Sequence, residues 1–258
     1  MLLAIDVGNS ETVIGLFEDP PSSELVDHWR VATIVERTSD ELALLVQEFL
    51  AFHGFSFDTD VAGVAVCSGV PRVTGALRQM TERYFGFPAV VLEAGVKTGM
   101  PILYDNPKEV AADRIANAVG ALERYDPPII VVDFSSTATI FDAISAKAEY
   151  LGGTIMPGVE VSLDALVGRA AMLRRVELVE PRSVIGRSVV ESIQAGVVYG
   201  TVDAVDGVVR RFQAELGECT VVATGGLAEL VGPLSGTIQH HEPWLTLLGL
   251  RTIFEKNT

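Results

Sequence analysis

The sequence predicts a duplicated α/β fold, in which two similar halves each combine strands with helices. The first reason is an internal repeat, because "AIDVGNSETVIGL" at residues 4–16 and "VVDFSSTATIFDA" at residues 131–143 align without a gap. The second is that a strand hairpin followed by alternating helical and extended patterns occurs twice along the chain. No low-complexity linker separates the halves. We therefore expect two closely joined lobes, residues 1–117 and 118–258, with the last helix packing back.

The composition is that of a globular protein with an acidic surface. Of the 258 residues 48% are hydrophobic, and the formal net charge is −15. Nucleic acids and anionic membranes repel such a surface, so neither is an expected partner, whereas backbone amides can still bind a small anion such as ATP. The N-terminal apolar run is too short for a signal peptide, and no segment approaches the ~20 apolar residues of a membrane span. Cys67 and Cys219 lie far apart in no motif, which is typical of buried thiols in a reducing compartment, so we expect a soluble, cytoplasmic protein.

Up to residue 125, apolar runs predict strands and amphipathic runs predict helices. The strands are predicted at "LLAIDVG", "TVIGLFE", "VAGVAVCSGV" and "PAVVLEA". The helices are predicted at "ERTSDELALLVQEFLAFHGF", from Pro71 to about Tyr84, and at "YDNPKEVAADRIANAVGALERY". Thr38 and Glu41 form a capping box for the first helix, and Asn106 with Pro107 marks the start of the third.

After residue 125 the same pattern restarts. "PIIVVDF" and "TIFDAIS" predict a second strand hairpin, followed by a turn and "EYLGGTIMPG". Two helical stretches are predicted at about 159–175 and 188–215. "CTVVATGGLAELV" then predicts a strand, a glycine turn and the start of a helix, and "PWLTLLGLRTIFEKN" predicts the final helix.

Each copy of the repeat ends a strand in an aspartate, Asp6 or Asp133, and continues into a turn of small residues. Backbone N–H groups at such a bend can bind phosphate oxygens, and the aspartate can hold a hydrated Mg²⁺ against them. Two such turns facing one another across a cleft would bind a nucleoside triphosphate. A third turn, "ATGGL" at 223–227, suits Gly225 and Gly226 to close approach by an adenosine. Single turns of this kind occur in ordinary hairpins, so the functional interpretation depends on the duplication.

The repeat is broken at one position, where Gly8 of the first copy corresponds to Ser135 of the second. A Cβ at a bend with a left-handed backbone would cost on the order of 1 kcal/mol and would obstruct the approach of a phosphate. Alternatively, the hydroxyl groups of Ser135, Ser136 and Thr137 replace the lost amide contacts.

Several segments of the chain have counterparts in one enzyme family. "DVGNS" corresponds to an Asp-x-Gly-Asn-Thr motif, "GMPILYDNPKEVAADRIANA" to a substrate segment, and "VVDFSSTATIFD" to a second phosphate motif, while "EYLGGTIMPG", "ATGGLA" and "HHEPWLTLLGL" also match. Over essentially its full length the chain resembles the type III pantothenate kinases. The resemblance implies a duplicated ribonuclease H-like fold of the actin, Hsp70 and sugar kinase type, with two lobes around a nucleotide cleft. It also implies ATP-dependent phosphorylation of pantothenate to 4′-phosphopantothenate in coenzyme A biosynthesis.

The resemblance further implies roles for matching residues. Asp113 matches the catalytic base, Arg114 the arginine that holds the pantothenate carboxylate or a nearby phosphate, and Asp133 a ligand of the K⁺ or ammonium ion that the family requires. The matching ATP-binding positions are Asp6, Val7, Gly8, Asn9, Ser10, Glu11, Thr12, Val13, Ser136, Thr137, Gly225 and Gly226. The matching substrate-binding positions are Tyr104, Ala111, Ala112, Asp113, Arg114 and Val189. The family is dimeric, with its active site completed at the subunit interface, so a homodimer is expected.

Read from the residues alone, Asp113 lies in the second turn of its predicted helix. It is about 200° around the helix from Ile115 and so faces away from the apolar stripe, where a solvated acid is the simplest interpretation. The family match favours the catalytic base. The adjacent histidines of "HHEP" (240–243) point different ways and have no cysteine near them in sequence, so we interpret them as structural and not as a zinc site.

Three positions in the expected site depart from the family. Ser135 and Ala111 replace glycines, and the second loop has nine steps from Asp133 to Asp142 where the family has eight. Val189 aligns with a substrate-binding threonine, and the lost hydrogen bond would weaken binding about ten- to a hundredfold unless Ser188 supplies a hydroxyl. Three interpretations stay open: a pantothenate kinase with weakened activity, a catalytically impaired homologue that binds a nucleotide or a pantothenate-like ligand in a regulatory role, and a kinase for another small hydroxy acid.

Overall fold

The computed structural model describes residues 1–56, 59–170 and 172–258, and these form two compact units. The first unit comprises residues 1–100, 105–123 and 245–258, and the second comprises residues 101–104 and 124–244. The boundary expected between residues 117 and 118 falls inside helix α3 (Ala112–Arg124), and the C-terminal helix α7 (Leu245–Glu255) belongs to the first unit.

The first unit contains a five-stranded mixed sheet. Its strands are β1 (Leu2–Val7), β2 (Glu11–Phe17), β3 (Leu25–Ala32), β4 (Gly63–Ser68) and β5 (Val90–Val91). The order across the sheet is β3-β2-β1-β4-β5. Strand β2 runs antiparallel to both β1 and β3, whereas β4 is parallel to β1 and β5 is parallel to β4.

The second unit contains a sheet with the same arrangement. Its strands are β6 (Ile129–Phe134), β7 (Ala138–Ile144), β8 (Tyr150–Pro157), β9 (Thr220–Gly225) and β10 (His240–His241). The order β8-β7-β6-β9-β10 and the strand directions repeat those of the first sheet. The prediction of a duplicated α/β fold is therefore confirmed.

Helices cover the sheets at the positions that the amphipathic patterns indicate. The remaining helices are α1 (Ser39–Phe52), α2 (Pro71–Met80), α4 (Val159–Arg169), α5 (Val189–Leu216) and α6 (Ala228–Val231). The capping box predicted for α1 is present, since Thr38 Oγ1 accepts from the amide of Glu41 and the Glu41 carboxylate accepts from the amide of Thr38. A π-helical turn, Thr81–Phe85, continues α2.

Four predicted element boundaries need correction. Strand β3 was not predicted, although its burial alternates strictly along its length. Asn106 and Pro107 begin a short 3-10 helix, Pro107–Glu109, and the extended backbone at Val110 separates it from α3. Helix α4 ends at Arg169 because Ala170 leaves the helical conformation, so the predicted helix to residue 175 is too long, and position 171 of that stretch lies outside the described residues. The strand predicted at "PAVVLEA" is only the two-residue β5.

The hydrophobic core of each unit lies on its sheet. In the first unit the inward residues of β1, β2 and β4 pack against the apolar faces of α1 and α2. In the second, residues of β6, β7 and β9 pack against α5 and α6. Among the described residues no helix is both long and apolar enough to cross a membrane.

Candidate active site

The first turn lies between β1 and β2 and is held closed by its own backbone. The amide of Gly8 donates to the carbonyl oxygen of Glu11 at 2.9 Å, so this amide is engaged within the turn. Thr33, directly after β3, supports the turn from outside: its hydroxyl donates to the Gly8 carbonyl at 2.8 Å, and its amide donates to the Ser10 carbonyl at 2.9 Å. The tip at Asn9 and Ser10 is exposed. Phosphate contacts from this turn would therefore come from amides other than that of Gly8.

Two carboxylates and a thiol meet beside this turn. Asp6 is partly buried at the end of β1, and the thiol of Cys67 on β4 donates to its Oδ1 at 3.1 Å. Burial, opposed by the Cys67 hydrogen bond and assisted by the negative charge of Asp113, raises the pKa of Asp6 to about 6. Burial, with the charge of Asp6 next, holds the pKa of the Cys67 thiol well above its usual value. Cys67 is therefore an uncharged donor to a carboxylate that a cation would stabilise.

Asp113 and Arg114 lie at the start of α3 in the same unit. Asp113 is in the first turn of the helix and not the second, because α3 begins only at Ala112. Its Oδ1 accepts a 2.8 Å hydrogen bond from the amide of Arg114, and the side chain is half-buried rather than fully solvated. Arg114 is buried. Asp113 is therefore less exposed than the interpretation as an acid on an outer solvated face expects.

The second turn lies between β6 and β7 and is closed by a side chain. Ser135 Oγ donates to the Ala138 carbonyl at 3.0 Å and accepts from the Ala138 amide at 3.2 Å. Ser135 does not adopt a left-handed backbone, so the conformational cost expected for its Cβ does not arise. Asp133 pairs with Ile140 as Asp6 pairs with Val13, so the two turns of this chain have the same length.

Asp133 is buried at the end of β6. It lies beside Gly225, where a larger residue would not fit. Gly225, at the end of β9, has a φ of +89°, and a Cβ there would lie 2.7 Å from Asp133 Oδ1 and 2.5 Å from the Phe134 carbonyl oxygen. These two oxygens therefore converge on the space beside Gly225, and oxygen donors are the ligands that hard cations prefer. Gly226, by contrast, is exposed and has open space where a Cβ would lie.

The second turn also has an outside support that matches Thr33. The amide of Gly158 donates to the Thr137 carbonyl at 2.9 Å, and a Cβ at Gly158 would lie 2.7 Å from the Thr137 carbonyl carbon. Gly158 is the N-terminal cap of α4. The tip of this turn, at Ser136 and Thr137, is exposed like that of the first.

The remaining predicted substrate residues lie in both units. Tyr104 belongs to the second unit and packs over Gly152 of β8, whose φ of +127° and lack of a Cβ leave room for the ring. Val189 is the first residue of α5 and is exposed, while the Ser188 hydroxyl caps α5 by accepting from the amide of Glu191 at 3.2 Å. Ala111 is exposed and Ala112 half-buried.

One residue of the histidine pair, His240, packs against an aromatic ring. His240 lies on β10 with its ring stacked on Tyr125 at 4.4 Å between centroids, and the Tyr125 hydroxyl donates to Glu242 at 2.6 Å. Within the three described ranges, no group of three or more His, Cys, Asp or Glu residues is arranged to hold a metal ion directly.

The structure thus brings together two sets of predicted residues, one in each unit. The first set is Asp6, its turn and Asp113; the second is Asp133, its turn and Gly225. Sequence reasoning did not identify Thr33, Cys67 or Gly158 as supports for these sets. Their contacts follow from strand pairing and register, which no local pattern reveals.

Two solved structures share this architecture. A protein from Campylobacter jejuni described as a Baf family transcriptional activator has a TM-score of 0.60 at 16% identity, covering 99% of this chain and 98% of that one. The activator of the 2-hydroxyisocaproyl-CoA dehydratase from Clostridium difficile, with bound ADPNP, has a TM-score of 0.53 at 12% identity over 99% of this chain and 95% of that one. With the duplicated sheets, these likenesses show the fold, a duplicated α/β fold of the type found in actin, Hsp70 and the sugar kinases.

The sequence comparisons narrow the class to one family. The family model described as type III pantothenate kinase matches residues 2–211. A type III pantothenate kinase of Streptomyces griseus is 54% identical over 265 residues, which cover 100% of this chain and 98% of the relative. The chain therefore belongs to the type III pantothenate kinase family.

Proposed function

We propose that this protein transfers the γ-phosphoryl group of ATP to the primary hydroxyl of pantothenate, giving 4′-phosphopantothenate for coenzyme A biosynthesis in the cytoplasm. The observation that carries the proposal is the pair of carboxylates at the first turn, Asp6 and Asp113, close enough for one charge to raise the pKa of the other. Family membership over the full chain supports these substrates, and the geometry supports the roles proposed for the residues.

Asp113 is the proposed catalytic base. One of its oxygens accepts the amide of Arg114, so the carboxylate is held in one orientation and its other oxygen can accept the proton of the substrate hydroxyl. The cationic Arg114, adjacent on the helix, would attract the pantothenate carboxylate or a phosphate. Tyr104 would contact the substrate through its half-buried ring. Positioning these groups is most of what a phosphoryl transfer requires from the protein.

Each turn is proposed to contribute backbone amides to phosphate oxygens of ATP. The two turns have the same length, exposed tips and an external support, which keeps their amides in fixed directions. Gly226, exposed directly after β9, leaves room for an adenosine to approach the backbone.

Two cations complete the proposal. A hydrated Mg²⁺ held by Asp6 would neutralise phosphate charge, and the residues fit it because Asp6 is a partly buried carboxylate near a second one. A monovalent cation, K⁺ or ammonium, would be held by Asp133, and the convergence of its Oδ1 with the Phe134 carbonyl oxygen beside Gly225 fits such an ion.

A homodimer is proposed as the functional state. Most of the exposed large apolar side chains that the structure describes lie in one segment of the second unit, between Leu151 and Val190. Apolar surface concentrated in this way is typical of protein interfaces. Val189, a proposed substrate position, lies within that segment and is exposed in the single chain. This supports a site that a second copy completes.

The departures from the family pattern are proposed to weaken the activity without abolishing it. Val189 has no hydroxyl, and the Ser188 hydroxyl already accepts the helix-capping hydrogen bond, although its proton can still be donated. The altered residues, Ala111 and Val189, are also the observation that favours a second candidate, a kinase for another small hydroxy acid.

The test is an ATP-dependent phosphorylation assay with pantothenate, Mg²⁺ and K⁺ or ammonium. We expect turnover in the wild type and a loss of about 10²- to 10⁴-fold in Asp113→Asn, because the general base is removed while the shape is kept. Asp126→Asn, the same change at an exposed acid, serves as the control and should keep full turnover. Turnover that survives in Asp113→Asn would contradict the assignment of the base.

The same assay separates the alternatives. An impaired homologue would show no turnover but would be stabilised against heat by ATP or pantothenate. A kinase for another acceptor would bind ATP and phosphorylate a different small hydroxy acid in preference to pantothenate.

A further inference from the structure

Asp6 has a buried partner on the neighbouring strand. Strands β1 and β4 are parallel, and Asp6 and Cys67 are register partners across them. The side chain of Cys67 is fully buried, and its Sγ lies 3.1 Å from Asp6 Oδ1. The preceding residues of β4, Val64 to Val66, are all apolar and small. The first side-chain donor along this strand is therefore the residue that pairs with the aspartate, and Ser68, which follows it, pairs with Val7.

A buried hydrogen-bond donor at this position restricts the orientation of the Asp6 side chain. A carboxylate at the end of a strand can rotate about its side-chain torsions, and holding one of its oxygens removes most of that freedom. The hydrogen bond takes Oδ1 and so determines which oxygen of Asp6 is presented to other groups. A thiol has little capacity to accept and adds no negative charge beside the two carboxylates, in contrast to a third acid.

The second unit has a counterpart at the equivalent register position. There Asp133 on β6 pairs with Thr224 on β9, across the same parallel strand pair of the duplicated topology. Thr224 is also buried, with 3% of its surface exposed, and it too follows a run of apolar residues, Val221 to Ala223. Both strand-end aspartates thus adjoin a buried residue that carries a short donor, although the two donors differ in chemistry.

We propose that Cys67 is a positioning residue of the phosphate site, which holds the Asp6 carboxylate through Oδ1 in the orientation that serves the metal-bound nucleotide. Cys67 does not touch substrate and acts only through Asp6. This inference rests on the proposed function, because it assigns to Asp6 the task of holding Mg²⁺ against ATP.

The test compares Cys67→Val, which fills the space of the thiol without a donor, with Cys67→Ser, which keeps a donor. Mg²⁺-dependent stabilisation by ATP is measured by thermal shift over a range of ATP concentrations, beside steady-state kinetics. We expect the valine variant to bind Mg²⁺-ATP about tenfold more weakly and to lose a similar factor in kcat/KM for ATP, since a hydrogen bond to a charged group is lost. The serine variant should stay within about threefold of the wild type, and the KM for pantothenate should change in neither.

The other buried cysteine provides the matched control. Cys219 lies in the second unit, and Cys219→Ala should leave nucleotide binding unchanged. If the valine variant is unstable without ligand, Cys67→Ala removes the same donor and takes its place. Equal losses in the serine and valine variants would assign Cys67 to packing and overturn the proposal, as would wild-type ATP binding in the valine variant.

The outcome is distinguishable from a failure of the proposed function. A wild type that binds Mg²⁺-ATP but does not phosphorylate pantothenate would refute pantothenate as the substrate. The thermal-shift comparison of the Cys67 variants would then still test the role of Cys67. A wild type without any Mg²⁺-dependent stabilisation by ATP would overturn the role of Cys67 as well.

Discussion

Gly8 and Ser135 close equivalent turns with different atoms. In the first turn the amide of Gly8 reaches the carbonyl of Glu11, and a Cβ at this glycine would lie 3.0 Å from the same oxygen. In the second turn the Cβ is present, and the hydroxyl that it carries bonds both the amide and the carbonyl of Ala138. Ser135 therefore makes with its hydroxyl the contact that Gly8 makes with its backbone amide. Its backbone lies outside the left-handed region, so its Cβ causes no strain at this bend.

Removing this hydroxyl should loosen the second turn. We expect Ser135→Ala to lower the free energy of unfolding by about 0.5–1.5 kcal/mol, since two hydrogen bonds to Ala138 are lost, and to raise the KM for ATP. Urea denaturation and steady-state kinetics measure the two effects, with Ser22→Ala in an exposed loop as the control. A Ser135→Gly variant that is more stable than the wild type would show instead that the serine is a defect.

At the residue scale the sequence reveals the parts that repeat. The pairing of Asp6 with Asp133 and the small residues after each predict the two turns, and the structure has both. The residues that hold the turns and the aspartates, Thr33 and Cys67 among them, come from other parts of the chain. Their roles depend on which residues lie opposite each other, and this register is a tertiary property.

Helices α3 and α7 approach each other through glycines. A Cβ at Gly249 of α7 would overlap the carbonyl oxygen of Ala116 of α3, and one at Gly120 would overlap the carbonyl oxygen of Leu245. The Thr246 hydroxyl donates to the buried Asn117 at 2.7 Å and fixes the rotation of the two helices. Because α3 carries Asp113, this contact determines where the proposed base lies.

A methyl group at this contact should therefore be costly. We expect Gly249→Ala to lower the free energy of unfolding by at least ~1–3 kcal/mol, since the backbone of α3 must move, and to lower turnover as well. The control is Gly207→Ala in α5, where a Cβ meets nothing and the helix should gain about 0.5–1 kcal/mol. Chemical denaturation of both variants is the measurement, and equal stability of the two would refute the close approach.

Element boundaries are predictable where a local signal exists. The capping box at Thr38 marks the start of α1, and Ser188 caps α5 at the predicted position. At Asn106 the same kind of signal is misleading, because this residue caps a single 3-10 turn and α3 begins five residues after Pro107. A cap indicates that a helical turn begins but does not show how far it continues.

The duplicated topology is the property of the whole molecule that the sequence shows best. A gapless repeat of thirteen residues in each half, together with the strand and helix pattern that recurs after it, predicts this topology, and the two sheets have the same strand order. Which residues belong to each of the two units is not predictable in this way. The last fourteen residues, 245–258, belong with the first unit because α7 packs on β1 and β4, strands from far earlier in the chain that no local pattern pairs with it.

The proposed homodimer gives the last prediction. Ile185 is 77% exposed within the apolar segment of the second unit, and Phe52 is 75% exposed on α1 in the first. Because the two side chains are almost equally exposed, a carboxylate introduced at each gives a matched comparison. We expect Ile185→Glu to convert a dimer into monomers and to lower pantothenate turnover, because a buried, unpaired carboxylate at an interface is costly and the site would lose its second copy. Phe52→Glu should keep both the dimer and the activity. Light scattering over a range of protein concentrations measures the first effect, and a wild-type monomer with full turnover would refute the dimer as the functional state.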